Sequence, residues 1–348
     1  MGIRKMLKEF ISGELGEGLM ERNRSLDLAK GIAIILVVLG HTYSFSEGNV
    51  ILNWIHGFHM PFFFIVSGIL YGQKTECVNS FRFGLGSKIK TLLVPYFVFE
   101  IPFALYLCLA KYLAGGLTGG FAAGKVLAVM NLTGLHSTWF LPCMLFVQIL
   151  FCACSRAGKL PCIVMAACLA AVGLLCPAPE GYLTVVLRCF VALGFFTAGF
   201  FGSRWWQKGQ KPVIAALAAV AYCLIADGNG LVSLVNCTFS NPLLYVVNAL
   251  LGTFVLLQLS IHLCNPGRVT AALEYMGRNS IIILCTHAFI IEAFRLADHK
   301  LFHNFLPRLG FFEGPVFTVL ILLAEIPVMI IGQRYVPAVF GLRKKERK

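Results

Sequence analysis

Ten apolar stretches, each about as long as a membrane-spanning helix, dominate this 348-residue sequence. Charged residues, Gly or Pro bound them, and they fall at 28–46, 50–72, 89–112, 138–155, 160–177, 181–203, 212–226, 241–264, 277–297 and 314–333. A helix needs about 20 mainly apolar residues to cross the hydrocarbon core of a bilayer. The sequence therefore predicts an all-α integral membrane protein, a bundle of about ten transmembrane helices.

The composition excludes a water-soluble globule. Hydrophobic residues make up 58% of the chain and charged residues 13%, whereas soluble domains carry about 25% charge. No gap between the apolar stretches is long enough for a soluble catalytic domain, so any chemistry must occur within the bundle or at its rims. We expect a multi-pass protein of the cell membrane, plasma or inner, with the lipid bilayer as its surroundings.

The positions of Lys and Arg predict that both termini are cytoplasmic. Alternate segments hold 23 of the 29 Lys and Arg residues, and these are 1–30, 73–90, 156–160, 204–211, 265–278 and 334–348. Cytoplasmic loops of membrane proteins carry such an excess, so the positive charge is a topology signal and no nucleic-acid partner is expected. We divide the chain into a cytoplasmic segment (1–27), one transmembrane domain (28–334) and a basic cytoplasmic tail (335–348).

Ionisable residues in a membrane span are costly, so each is a candidate for function. Asp27 and Lys30 stand at the cytoplasmic end of the first span, and His41 lies eleven residues after Lys30. At 1.5 Å per residue, Lys30 and His41 are about 16 Å apart along the helix, half the thickness of a bilayer. They cannot touch, but they can contact the two ends of one elongated molecule.

Later spans add further polar candidates. His59 precedes Pro61, which frees a backbone carbonyl, while Ser67 and Gly68 allow the close approach of a neighbour or ligand. His287 lies in the ninth span. We predict no metal site, because carboxylates at ligand spacing to these histidines are missing. The remaining ionisable residues of the spans are interhelical ion pairs or reactive groups: Glu100, Arg188, Glu292, Arg295 and Glu325.

The run SLDLAKGIAIILVVLGHTYSF, followed by FHMPFFFIVSGILYG, resembles the start of the membrane acyltransferase 3 family, particularly its fucose O-acetylase-like branch. In that family a basic residue, ten intervening residues and a His mark the first helix. Lys30 and His41 have this spacing, and Asp27 stands where many members have an acidic residue. The usual basic residue is Arg; Lys keeps the charge but not the bidentate fork for phosphate.

Four further segments resemble the family in the same order along the chain. FFFIVSG at 62–68 is similar to its aromatic and Ser-Gly signature, and KIKTLLVPY at 88–96 to its basic pair before Pro. STWFLPCMLF at 137–146 resembles the Trp-Phe-Leu-Pro segment, and EYMGRNSIIILCTH at 274–287 the late Gly-x-Asn-Ser segment that ends in His. The resemblance thus runs from about residue 22 to 334.

This resemblance implies transfer of an acyl group, most often acetyl, from cytoplasmic acyl-CoA to a hydroxyl of a surface or exported carbohydrate, free or lipid-linked. Acetyl-CoA is then the donor substrate, and no bound cofactor is expected. Because CoA carries several phosphate charges, its site needs cations at the inner rim. Lys30, Lys88 and Lys90 lie there in the predicted topology.

His41 is the expected reacting group, because the ordinary pKa of His suits proton transfer near neutral pH. The sequence leaves open whether it is a general base or a transient acyl carrier, with Asp27 orienting Lys30 or the donor. His59 and His287 are expected to hold the developing oxyanion or the acceptor, and Trp139 to stack on a sugar. We assign catalytic roles to His41, His59 and Asp27, and substrate binding to Lys30, Lys88, Lys90, Ser67, Trp139, Asn279 and His287.

Two other functions stay open at this point. A transporter of a small molecule or lipid-linked glycan would use buried His and Glu residues as a proton relay, but no internal repeat is visible. A structural subunit of an envelope polysaccharide complex would leave the buried polar residues unexplained. The fixed spacing of Lys30 and His41 favours the acyltransferase.

Overall fold

The computed structural model describes residues 23–43, 50–74, 88–176 and 181–342. These residues are mainly helical and hold no strand beyond one isolated bridge between Ser233 and Thr238, which confirms the all-α prediction. Several predictions fall outside the described residues: most of the cytoplasmic segment 1–27, the end of the first predicted span, the middle of the 73–90 loop and the basic cluster 343–348.

Thirteen α-helices make up the described part of the chain. They are α1 (Arg24–Thr42), α2 (Val50–Lys74), α3 (Val94–Leu113), α4 (Gly119–Met130), α5 (Phe140–Ser155), α6 (Lys159–Leu175), α7 (Tyr182–Phe201), α8 (Ser203–Trp206), α9 (Pro212–Asn229), α10 (Pro242–Leu263), α11 (Arg268–Arg278), α12 (Ser280–Leu301) and α13 (Glu313–Arg334). A π-helical turn (Ile89–Leu93) leads into α3, and 3-10 turns occur at Ser137–Trp139, Leu306–Phe312 and Pro337–Phe340.

Nine helical segments of the described chain are long and apolar enough to cross a membrane. They are Arg24–Thr42, Val50–Gln73, Ile89–Leu113, Ser137–Ser155, Tyr182–Phe201, Pro212–Asn229, Pro242–Leu263, Ser280–Leu301 and Leu306–Arg334. Each coincides with a predicted stretch, as expected for a multi-pass membrane protein. The remaining stretch, 160–177, forms α6, whose 17 residues rise about 26 Å. The count of ten and the cytoplasmic position of the termini stay predictions.

Close contacts at glycines set the position of the first helix. α1 crosses α11 at Gly31 and Gly277, where a Cβ on Gly277 would meet the backbone of Asp27 and Gly31. An ion pair of 2.9 Å between Arg24 and Glu274 joins the same two helices. Small residues let helix backbones approach in this way within a membrane bundle. The crossing fixes α1 at its Lys30 end.

The second helix is fixed in the same manner. α2 crosses α7 where Gly68 lies against the carbonyl of Phe196 and Gly199 lies against the carbonyl of Ile65. Around this crossing, α2, α5, α7 and α10 bury one group of apolar side chains, while α1, α3, α12 and α13 contribute to a second group. The helices that carry the predicted site residues therefore belong to the closely packed part of the bundle.

The two ends of α1 meet different partners, and we call them the Lys30 end and the His41 end. At the Lys30 end, the Asn23 side chain donates to Gln207 Oε1 at 2.5 Å, and Gln73 donates to the same oxygen at 2.6 Å. At the His41 end, Thr42 Oγ1 lies 3.1 Å from Thr318 Oγ1 of α13. The start of α1 and the end of α2 thus share one end of the bundle.

Candidate active site

Lys30 and Asp27 form an ion pair at the start of α1. The ammonium nitrogen lies 2.7 Å from Asp27 Oδ1, and the two side chains are 19% and 10% exposed. Asp27 occupies the first turn, where the helix dipole favours a carboxylate, and the Asn23 side chain caps the helix by accepting from the Leu26 amide. The first turn of the helix therefore holds both charges in place.

Lys88 and Lys90 differ in their surroundings. Lys88 Nζ lies 4.5 Å from the ring centre of Tyr71, near the end of α2, and burial lowers the pKa of Lys88. Tyr71 in turn donates from its hydroxyl to Gln148 at 3.1 Å. Lys90 is exposed. Within the described residues, Lys88 has no carboxylate at ion-pair distance, so its charge is free to meet an anion.

Lys30 and His41 project from the same side of α1. Eleven residues at 3.6 per turn make close to three full turns, so the two positions differ by only about 20° around the helix axis. The rise between them is about 16 Å. An extended molecule lying along α1 can therefore contact both side chains without crossing the helix.

Four histidines gather at the His41 end. The ring centres of His41 and His287 are 5.3 Å apart, and those of His56 and His59 are 5.0 Å apart. The two pairs adjoin at Gly40, where a Cβ would lie 3.6 Å from His56 Nε2. The structure thus brings together the three predicted histidines from α1, α2 and α12, and adds His56.

Hydrogen bonds assign the tautomers of two of these rings. His59 Nδ1 lies 2.7 Å from the Ile55 carbonyl, and His287 Nδ1 lies 2.6 Å from the Ile283 carbonyl. A carbonyl oxygen only accepts, so each Nδ1 carries a proton and each Nε2 of the neutral ring accepts. His287 Nε2 lies 3.3 Å from the hydroxyl oxygen of Ser137, whose one proton is donated to the Leu284 carbonyl.

A buried carboxylate supports the turn before α5. Glu100 of α3 accepts hydrogen bonds from the Leu135 amide at 3.0 Å and from the Thr138 hydroxyl. His136, in the same turn, places Nε2 3.8 Å from Glu100 and packs against the ring of Phe103. Sequence reasoning missed His136 because it lies outside the apolar stretches. Its position directly before the STWF segment is the signal that could have found it.

A second buried carboxylate lies next to His287. The hydroxyl of Thr286 is 2.8 Å from Glu325 Oε1 and also 2.8 Å from the Ile282 carbonyl. Glu325 is fully buried in α13, and no cation of the described chain lies at ion-pair distance. The structure therefore gives Glu325 a hydroxyl partner rather than the ion pair that was one of the two expectations.

Arg188 and Trp139 contact each other in the interior. The Arg188 guanidinium carbon lies 5.0 Å from the ring centre of Trp139, and its nitrogens donate to the carbonyls of Leu132 at 2.6 Å and Thr133 at 3.0 Å. Arg188 thus binds backbone carbonyls instead of a carboxylate. Trp139 is 7% exposed and has one ring face against Arg188, so the predicted stacking on a sugar concerns the other face only.

The remaining predicted residues, Asn279 and Ser67, lie at helix junctions. Asn279 is fully buried between α11 and α12; it donates to the Tyr275 carbonyl at 2.8 Å and accepts from Gln333. Both ends of its amide are therefore occupied within the protein. Ser67 is partly buried and precedes Gly68 at the crossing with α7. The structure places neither of them in a contact with His41.

A cavity of about 500 Å³ opens beside His41. Part of its wall is formed by Arg295 and Asp298 of α12, by Asn304 of the following segment and by Glu313, the first residue of α13. Sequence reasoning named Arg295 but missed the other three, because only the folded chain returns 298–313 to the end of α1.

The chain matches the family model of an acyltransferase domain, acyltransferase 3, over residues 23–332. The nodulation protein NolL of Mesorhizobium japonicum is 35% identical over 91 residues, and this match spans 24% of the chain and 24% of NolL. No solved structure matches. Because the family model covers nearly the whole sequence, the resemblance drawn from the motifs is confirmed, and the protein belongs to the acyltransferase 3 family.

Proposed function

We propose that this acyltransferase is an O-acetyltransferase of the plasma or inner membrane. It moves an acetyl group from cytoplasmic acetyl-CoA to a hydroxyl of a cell-surface or exported carbohydrate, free or lipid-linked. The observation that carries the proposal is the placement of the Lys30 and Asp27 ion pair and of His41 on one side of one helix, about 16 Å apart.

The Lys30 end supports the donor part of the proposal. Lys30 has one of its three N–H groups directed at Asp27, which leaves two for phosphate oxygens. Lys88 supplies a second cation without a carboxylate partner in the described chain. With the phosphates of acetyl-CoA at these lysines, the extended pantetheine arm runs along α1 and brings the thioester toward His41.

The His41 end supports the transfer step, which His41 can assist in two ways. As a general base, His41 takes the proton of the acceptor hydroxyl while that oxygen attacks the thioester carbon; the carbon–sulfur bond breaks, and the proton passes to the CoA thiolate. As an acyl carrier, the His41 nitrogen attacks first and CoA leaves as the thiol; the hydroxyl then attacks the acyl-imidazole, which restores His41.

The tautomers favour one of the two roles expected for His59 and His287. Their Nε2 atoms accept, since their Nδ1 protons are donated to backbone carbonyls. An accepting nitrogen suits the hydroxyl of a sugar, whereas an oxyanion needs a donor. We therefore assign both residues to the acceptor hydroxyl that reacts beside His41, whose ring centre lies 5.3 Å from that of His287. The Ser137 hydroxyl lies between His287 and the Leu284 carbonyl, 3.0 Å from that carbonyl oxygen.

Labelled acetyl-CoA tests the proposal directly. Membranes that contain the protein receive the labelled donor and host glycan, and the label that enters glycan is measured for wild type, His41→Ala and the control His262→Ala. His262 is an exposed histidine that contacts the Gln210 carbonyl at 2.9 Å. We expect His41→Ala to lower transfer by about 10²- to 10⁴-fold and His262→Ala to leave it unchanged.

Two outcomes would contradict the proposal. Equal transfer by His41→Ala and wild type would remove His41 from the reaction. Wild-type protein that is folded but transfers no label from any of several acyl donors would favour the transporter alternative.

A further inference from the structure

The cavity beside His41 is large enough and well enough placed to hold an acceptor. Its volume of about 500 Å³ lies within the range of about 300–1,000 Å³ that is typical of small-molecule sites. His41 lines it directly, at the end of α1 away from Lys30. A molecule in this cavity therefore meets the proposed reacting group from the side opposite the donor lysines.

The acidic groups of the cavity differ in their availability. Asp298 already accepts hydrogen bonds from the backbone amides of Phe305 at 3.0 Å and Leu306 at 3.2 Å, so it stabilises the turn before α13. Glu313 is partly buried, and its carboxylate has no hydrogen bond or ion pair within the described residues. Glu313 is thus a carboxylate in a cavity wall whose acceptor oxygens are unused by the protein.

Among the described residues of the cavity wall, Arg295 is the one cation, and its donors are also mostly unused. Arg295 Nη1 lies 3.8 Å from Glu292, a loose ion pair, and Nη2 donates to the His41 carbonyl at 3.4 Å. The guanidinium has five N–H groups, so most of them remain for a ligand. The bond to the His41 carbonyl places these donors beside the proposed reacting group.

Charge decides which class of acceptor fits. The wall holds two carboxylates, Asp298 and Glu313, and Glu292 adds a third near the one guanidinium. An acidic sugar or a sugar phosphate would bring further negative charge into this surplus and would be repelled. A neutral sugar avoids that repulsion, since its hydroxyls donate to Glu313 and accept from Arg295.

The apolar part of the wall suits the same class of ligand. Phe317 of α13 and Tyr43 both line the cavity, and the Tyr43 hydroxyl donates to the Phe311 carbonyl at 3.3 Å. These rings are 1% and 8% exposed, so they add a small apolar surface, which suits the C–H side of a sugar ring while polar groups bind its edge.

We infer that this cavity is the acceptor subsite and that it selects a neutral, hydroxyl-rich sugar, bound between Glu313 and Arg295 with one hydroxyl directed at His41. The inference rests on the proposed acetyl transfer and narrows its acceptor to uncharged sugars. Glu313 and Arg295 then determine the specificity for the acceptor sugar.

Matched acceptors and a carboxylate-to-amide change test this inference. Wild type and Glu313→Gln receive labelled acetyl-CoA with a panel of neutral methyl hexosides and 6-deoxyhexosides, and with the methyl uronosides of the same configurations. We expect wild type to acetylate neutral members and to reject the uronosides. Glu313→Gln should raise KM for the neutral acceptors by about ten- to a hundredfold, because a charge-assisted hydrogen bond is lost. KM for acetyl-CoA should stay constant.

The control variant is Asp227→Asn, which makes the same chemical change at an exposed position of α9. Arg295→Gln is the second test, should Glu313→Gln fail to fold, and it should raise the KM of neutral acceptors in the same way. The inference alone would be overturned if wild type acetylated uronosides as efficiently as neutral sugars. It would also be overturned if the folded variants had an unchanged KM for the acceptor. If wild type transferred acetyl to none of the acceptors and showed no His41-dependent release of CoA from acetyl-CoA, the proposed function itself would be overturned.

Discussion

Gly277 determines how closely α11 approaches α1, so one added methyl group tests the packing of the Lys30 end. A Cβ on Gly277 would lie 2.8 Å from the carbonyl carbon of Asp27 and 2.8 Å from the Gly31 nitrogen, and closer to the Asp27 carbonyl oxygen. Ordinary contacts of a Cβ begin at 3.4 Å, so the shortfall is about 0.6 Å at these two atoms and larger at the carbonyl oxygen, and the two backbones must separate by more than about 0.6 Å.

The cost of Gly277→Ala follows from this separation. Overpacking in a closely packed core costs about 1–3 kcal/mol, and here backbone atoms stand in the way, so no rotamer change relieves it. Replacing Gly by Ala in a helix returns about 0.5–1 kcal/mol. We expect a net loss of about 1–2 kcal/mol in the free energy of unfolding. Because the contact is made by Asp27, the KM for acetyl-CoA should also rise.

Unfolding of the detergent-solubilised protein, followed by Trp fluorescence during a denaturant titration, measures this loss. Gly124→Ala in α4 is the matched control, because no atom lies within 4 Å of a Cβ there, and its stability should not fall. If Gly277→Ala proved as stable as Gly124→Ala, the close crossing of α1 and α11 would be refuted.

Three further changes probe other parts of the bundle. Arg188→Lys keeps the charge but loses the fork that binds two carbonyls, and denaturant titration should show a loss of about 1–3 kcal/mol. Burial lowers the pKa of His136 to about 3, although Glu100 lies 3.8 Å away. The unfolded chain binds a proton below about pH 6.5 and the folded one does not, so this histidine removes about 2 kcal/mol of stability between pH 7 and pH 5. His136→Phe should therefore be less acid-sensitive than wild type; a more acid-sensitive variant would show that Glu100 keeps His136 protonated. Lys88→Met should raise the KM for acetyl-CoA severalfold at constant kcat, whereas Lys125→Met, which also removes a lysine over an aromatic ring, should not change it.

Features that depend on local sequence could be predicted well. The apolar stretches mark the spans because a helix must cover the hydrocarbon core with its own side chains. The common side of Lys30 and His41 follows from helical periodicity alone. Because 113–137 is rich in Gly, the sequence did not predict α4. Because 265–278 is charged, the segment that forms α11 was predicted to be a loop. Both are short helices without the length of a span.

Features that depend on contacts between distant segments could not be predicted. The sequence indicates that Arg188 is either half of an ion pair or a reactive group, yet its partners are two carbonyls 55 and 56 residues away. The sequence indicates a loop position between two spans for Glu313. It lines the cavity only because α13 packs against the end of α1. A sequence pattern shows which residues share a helix face, but it does not show which helix covers that face.

Contacts with other helices fix α1 at both ends, and this limits which donor the proposed reaction can use. At one end of α1, Gly31 packs against α11, and at the other end Thr42 contacts Thr318 of α13. A continuous helix fixed in this way does not stretch, so the rise from Lys30 to His41 stays near 16 Å. Only a donor whose phosphates and reacting carbon are separated by a matching length can contact both residues at once. In the proposed reaction, the length of α1 therefore restricts the donor, and the cavity formed by α12 and α13 restricts the acceptor.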